Sequence, residues 1–173
     1  DRYEGVNIIS GSKKALRRLL ESSTYSSILI HFLDEEMWSV IKDFAEQMKI
    51  LVWVHGSEIQ PWHRRKFNYS TPEEIKKAKL QSRKRMDFWK PLLSNLPANM
   101  KLIFVSQYFA DEVMEDTEVQ LKRGEYEIIH NPIDTQRFSY EHKDVSQRFK
   151  ILTIRPFASR KYANDLSVKA IIE

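Results

Sequence analysis

Short apolar runs alternate along the chain with amphipathic stretches, and each run has the length of a strand. The longest uninterrupted run is Ile50–Val54, and the segment around it, Lys49–His55 (KILVWVH), predicts a strand buried on both faces of a parallel sheet. Ser27–Leu33 (SILIHFL), Lys101–Ser106 (KLIFVS), Tyr126–His130 (YEIIH) and Lys150–Ile154 (KILTI) predict four more, and Gly5–Ile9 (GVNII) another. The intervening stretches have helical spacing. Ser12–Ser22 sets Ala15, Leu16, Leu19 and Leu20 on one face, and Asp34 caps a helix expected to reach about Met48. Thr71-Pro72-Glu73-Glu74 places Thr at N-cap, Pro at N1 and Glu at N3, a strong helix start. That helix carries Ile75, Ala78, Met86 and Trp89 on one side, and Pro91 is expected to kink or end it. Gln107–Thr117 and Asp165–Ile172 predict the last two helices.

Strand–helix alternation without hairpin signals implies an α/β fold, a doubly wound, Rossmann-like parallel sheet with flanking helices. The charged stretch Tyr140–Arg148 (YEHKDVSQR) marks a domain boundary. Residues 1–140 then form most of one Rossmann-like domain and 141–149 a linker. Residues 150–173 are one strand and one helix, a unit that cannot bury its own faces and so reads as the start of a second domain. The chain is expected to be a piece of a longer protein.

Composition narrows the function classes. The 173 residues contain no Cys, which excludes disulfide scaffolds and thiol chemistry. The four glycines, at 5, 11, 56 and 124, cannot build a GxGxxG or GxxxxGK[ST] phosphate loop. No apolar run approaches the ~20 residues of a membrane span, and 30% charged residues predict a soluble protein. The net charge of +4 is unevenly spread: residues 61–90 carry ten Lys and Arg against three acids, or +7, which leaves −3 for the rest. Such a patch suits phosphates, nucleic acid or an anionic membrane surface.

Ligands of open parallel sheets bind beyond the carboxyl ends of the strands. The residues there include His55-Gly56-Ser57-Glu58, Ser106-Gln107, Asn131-Pro132 and Arg155-Pro156. His55 reads equally as a ligand-facing imidazole and as a cap on local backbone, and Glu58 as a site carboxylate or a solvated loop acid. Arg155 and Lys161, on a loop before a helix, suit a diphosphate, or are simply solvated cations. The five His show no metal-ligand spacing, so no metal site is expected. The absence of GxSxG argues against a hydrolase.

The order of these segments resembles glycosyltransferase family 4. Ile128–Phe138 (IIHNPIDTQRF) is similar to the I-P-N-G-V-D-x-x-x-F segment that closes the N-terminal domain of that family, and Leu102–Ser106 to its V-S strand. Lys150–Arg155 with Lys161 resembles the G-R…K-G start of the C-terminal domain, and His55-Gly56 the strand-end His of the interdomain cleft. The chain departs from the pattern at Ile133, Ile154 and Tyr162, each standing where the family has Gly. The family's Gly-rich loop after the first strand and its pair of C-terminal glutamates have no counterpart.

The resemblance implies a GT-B fold: residues 1–140 on the acceptor side, 150–173 opening the donor-binding domain. It implies sugar transfer from a nucleotide-sugar donor to a glycan or lipid-linked acceptor, with retention, without a metal or other cofactor, in cell-surface polysaccharide or glycolipid synthesis. The chain alone is then expected to be inactive. Arg155 and Lys161 would stabilise the departing diphosphate and, with His55, form the catalytic set. His55, Glu58, Arg64, Arg65 and Lys66 would meet the acceptor, with Ser106 and Asn131 at the cleft. The protein would be cytoplasmic, in peripheral contact with the inner face of the membrane. Two alternatives stay open: a basic module that binds nucleic acid, for which no known motif is present, and a GT-B relative with epimerase or phosphorylase chemistry.

Overall fold

The computed structural model describes residues 2–22, 24–152 and 162–172. Its first elements are a small antiparallel hairpin, β1 (Arg2–Tyr3) and β2 (Val6–Asn7), and helix α1 (Lys13–Glu21). Then follow β3 (Ser27–His31), α2 (Glu35–Ile41), β4 (Lys49–Val54), α3 (Pro72–Ser94), β5 (Met100–Phe104), α4 (Gln107–Thr117) and β6 (Tyr126–Ile128). A 3-10 turn, Val145–Gln147, lies in the stretch 129–152, and the last described element is α5 (Asn164–Ile172). Strands β3 to β6 form one parallel sheet in chain order, with Ile30, Val52, Leu102 and Tyr126 in register. The protein is therefore α/β, a four-stranded Rossmann-like parallel sheet flanked by helices.

The core lies on one face of the sheet. Ile30, Ile50, Val52, Val54, Met100, Leu102 and Phe104 pack against α1 to α4 through Leu20, Val40, Ile41, Trp89, Leu92, Leu93, Ala110 and Val113. Each fully buried side chain of this kind contributes about 1.5–3 kcal/mol relative to exposure. On the opposite face, Leu29 is 63% exposed, Leu51 and Trp53 are half-buried, and Ile103 is buried. The expected burial of Lys49–His55 on both faces is thus not realised, nor is double winding among the described residues. Strands added in one direction by right-handed crossovers keep their helices on a single face, and covering the second face needs a reversal of strand order.

Other boundaries moved for local reasons. Gly5–Ile9 does not join the sheet: Glu4 (φ 47°) and Gly5 (φ 85°) form a two-residue turn of the left-handed kind that closes hairpins, and β2 pairs back on β1. Helix α2 stops at Ile41 and passes through a 3-10 turn, Lys42–Phe44, before β4. Pro91 does not end α3, which runs to Ser94. Leu92 and Leu93 just beyond it are buried, and that burial holds the last turn despite the missing donor. The capping box is present as expected: the Thr71 hydroxyl accepts from the Glu74 backbone, and the Glu74 carboxylate accepts from the Thr71 backbone, both at 3.1 Å. Lys150–Leu152 are not in a strand, and Thr153 and Ile154 lie outside the described residues. Residues 129–152, which include the proposed linker, are exposed throughout.

Candidate functional site

The carboxyl edge of the sheet gathers the polar residues that the strand pattern singled out. Val54, Phe104 and Ile128 are in register, so His55, Ser106 and Asn131 follow along one edge. Ser106 is the N-cap of α4, its hydroxyl accepting from the Phe109 amide at 3.2 Å. Asn131 is exposed, while its neighbour His130 donates from Nδ1 to the Val105 carbonyl at 2.8 Å.

His55 has a partner that the sequence did not reveal. His31 ends β3 as His55 follows β4, and His31 Nδ1 lies 2.7 Å from His55 Nε2. The ring centroids are 5.0 Å apart with planes inclined by 26°. That centroid separation is close to the nitrogen gap plus the two ring radii, so the rings meet edge to edge, nearly in one plane. They form an N–H···N hydrogen bond, in which one nitrogen donates and the other accepts. His31 also lies against Trp53, its register neighbour, at 5.3 Å between centroids. Phe32 lies over His55 at 4.4 Å and is 51% exposed. Its φ of 58° is costly for an aromatic residue, a strain that concentrates at functional sites. The signal for His31 was in the chain all along: two strand-terminal histidines become neighbours once adjacent parallel strands pair in register.

The backbone after β4 turns sharply. Gly56 has φ 111°, and the amides of Ile59 and Gln60 donate to its carbonyl at 3.1 and 2.7 Å. Within this turn the His55 amide donates to Glu58 Oε1 at 2.5 Å. Glu58, not His55, therefore caps local backbone here, while the His55 ring is bonded to His31. Helix α3 then docks on the turn, Trp89 Nε1 donating to the Glu58 carbonyl at 2.8 Å and Arg85 Nε to the Gln60 carbonyl at 3.2 Å.

Between this turn, residues 33–35 and α3 is a cavity of about 230 Å³, reached by Glu58, Lys84, Arg85 and Phe88. Burial pushes the Arg85 guanidinium below the ordinary arginine range, and nearby Arg65 adds to that, against the opposing pull of Tyr69 and Glu58. Larger hollows lie elsewhere among the described residues, about 400 Å³ at the amino ends of β4 and β5, about 420 Å³ between Trp38 and Asn99, and about 620 Å³ along the exposed flank of α3.

Residues 64–66 do not act together. Arg64, on the short 3-10 stretch Trp62–Asn68, is clamped by α4. It donates from Nε to both oxygens of Asp116 at 3.1 Å, from Nη2 to Glu115 at 2.6 Å and from Nη1 to Glu112 at 3.2 Å. Its pKa rises further above the arginine range, first through Asp116 and then Glu115. Arg64 is committed to the fold, and its charge is already balanced. Arg65 is half-buried and Lys66 exposed. Arg155 and Lys161 lie outside the described residues. Among the described residues there is no cluster of three His, Asp or Glu that would hold a metal, and no helix long and apolar enough to cross a membrane.

No protein-family model, curated protein or solved structure matches the chain. The likeness to glycosyltransferase family 4 therefore rests on the residues quoted for it.

Proposed function

We propose that the chain is the acceptor side of a glycosyltransferase that moves a sugar from a nucleotide-sugar donor to a glycan or lipid-linked acceptor. The observation that carries this reading is the His31–His55 pair at the carboxyl edge of a parallel sheet, where such sheets bind ligands. His31 occupies Nε2 of His55, which leaves Nδ1 to meet a sugar hydroxyl. With the shared proton on His55 Nε2, Nδ1 accepts from that hydroxyl and holds its oxygen toward the reacting carbon. Arg155 and Lys161 supply positive charge to the departing diphosphate.

The basic flank of α3 fits an acceptor carried on an anionic lipid surface. Lys76, Lys77, Lys79 and Arg83 have no ion-pair partner among the described residues. Leu80 among them is 59% exposed, and Phe67 on the preceding 3-10 stretch is 61% exposed. Cations around exposed apolar side chains suit an interfacial helix.

The test is nucleotide-sugar binding and sugar transfer by the full-length protein and its Arg155→Ala and Lys161→Ala variants. Both variants are expected to lose turnover, and His55→Ala to lose acceptor use while retaining donor binding. Normal turnover by the two cation variants would overturn the diphosphate assignment. Tight oligonucleotide binding that falls steeply with salt, without sugar transfer, would favour the nucleic-acid module instead.

A further inference from the structure

We infer that the cavity between α3 and the turn after β4 is a binding site for an anionic sugar unit, one hexose ring bearing a single carboxylate or phosphate. As the acceptor's subsite this role rests on the transferase reading; the binding itself does not.

Arg85 is a cation near Glu58 that no carboxylate pairs directly among the described residues. Arg85 spends only Nε on the protein, and its two terminal nitrogens have no ion-pair partner among the described residues. A half-buried guanidinium in that state carries a desolvation cost that an incoming anion would offset. Lys84, the preceding residue, lines the same cavity and is likewise unpaired among the described residues. The planar fork of Arg85 suits a carboxylate or phosphate, and Lys84 adds a point charge.

The remaining lining asks for hydroxyl donors. Asp34 and Glu58 each commit one oxygen to a backbone amide, Asp34 Oδ1 to Met37 at 2.8 Å and Glu58 Oε1 to His55. The second oxygen of Asp34 is left to accept, and that of Glu58 is engaged only by the Ser57 hydroxyl at a long 3.4 Å. Glu35 lines the cavity as a third carboxylate, and three acids beside the two cations disfavour a highly charged anion and favour a polyol with one negative group. Phe88, half-buried at the wall, gives the apolar surface that a sugar ring face needs, with the buried Leu33 and Trp89 behind it. Glu58 ties the site to His55, since the two are joined through the same turn.

The experiment is chemical-shift titration of the ¹⁵N-labelled protein with a hexuronate, a hexose 6-phosphate, the neutral hexose, inorganic phosphate and a free α-amino acid. The expected result is that the hexuronate or the hexose phosphate shifts the Trp89 Nε1–H and Glu58 amide signals, and the tighter of the two identifies the anionic group. Arg85→Gln should weaken that binding about tenfold and Arg85→Lys less, since a charge-assisted pair is lost in the first and retained in the second. Lys84→Gln, at an exposed position, tests the same cavity should Arg85→Gln fail to fold, and is expected to weaken binding about threefold. Equal binding of the neutral hexose, indifference to both substitutions, or preferential binding of inorganic phosphate or the amino acid would each overturn the proposal. Arg85-dependent sugar binding in a protein that transfers no sugar would sink the transferase reading and leave this site standing. Sugar transfer that is indifferent to Arg85→Gln would do the reverse.

Discussion

Arg64 and Arg85 come from one basic segment and end in opposite electrostatic states. Arg64 faces three carboxylates of α4 and joins the Trp62–Asn68 stretch to that helix. Arg85 touches one backbone carbonyl and presents the rest of its guanidinium to a cavity. Lys90 repeats the first pattern on a smaller scale by pairing with Glu118 at the end of α4. The +7 of residues 61–90 thus contains cations already used to close the fold and cations left for something else. Counting charge along the chain finds the segment; only the partners say which residues remain available.

The sharpest way to break this comparison is to remove Arg64. Arg64→Ala leaves Asp116, whose side chain is 7% exposed, without its main counter-charge, and should cost about 2–4 kcal/mol in urea unfolding. A loss under about 0.5 kcal/mol would put the cluster among ordinary surface pairs. Gly56→Ala comes next. At φ 111°, with an added Cβ 3.0 Å from the Gln60 side chain, it should destabilise by about 1–2 kcal/mol and weaken ligand binding in the cavity through Gln60. Unchanged unfolding would show that the turn tolerates a side chain there.

Arg85→Leu should behave in the opposite sense to Arg64→Ala. Removing an unpaired, half-buried charge is expected to leave stability within about 1 kcal/mol of the original, or above it, while anion binding disappears. A loss as large as that of Arg64→Ala would make Arg85 a structural residue like its neighbour. The smallest effect belongs to Glu118, whose carboxyl Lys90 holds below the usual glutamate range by a hydrogen bond and by charge. A depressed folded-state pKa stabilises above the ordinary glutamate value, and the contribution is lost as pH falls through the folded one. Glu118→Gln should therefore melt slightly lower near neutrality, and the two melting curves should converge in acid. Curves that stay parallel down to pH 3 would contradict the pairing.

Much of the scaffold was legible because its signals are local. The β4 run Ile50–Val54, the Thr71-Pro72-Glu74 start of α3 and the Asp34 cap of α2 each fix an element by chemistry within a few residues. The misplaced expectations share a different cause. Whether Leu51 and Trp53 are covered depends on strand order, and whether Pro91 ends α3 depends on the packing of Leu92 and Leu93. In the candidate site, His55 and Glu58 were readable as strand-end residues. His31 was readable only by pairing β3 with β4 in register, and Phe32, Lys84 and Arg85 were not readable, since each lies more than twenty residues from His55 and no spacing rule spans that distance.

The sequence by itself determined the α/β alternation, the carboxyl-edge placement of His55, Ser106 and Asn131, and the concentration of positive charge in residues 61–90. These follow from periodicity, capping chemistry and composition, which act over a few residues. Only the tertiary structure decided that His31 shares a proton with His55, that Arg64 is spent on α4, and that Arg85 opens onto a cavity. Hydrogen bonds and charge balance are settled by distance in space, and parallel pairing brings together residues that the chain keeps far apart.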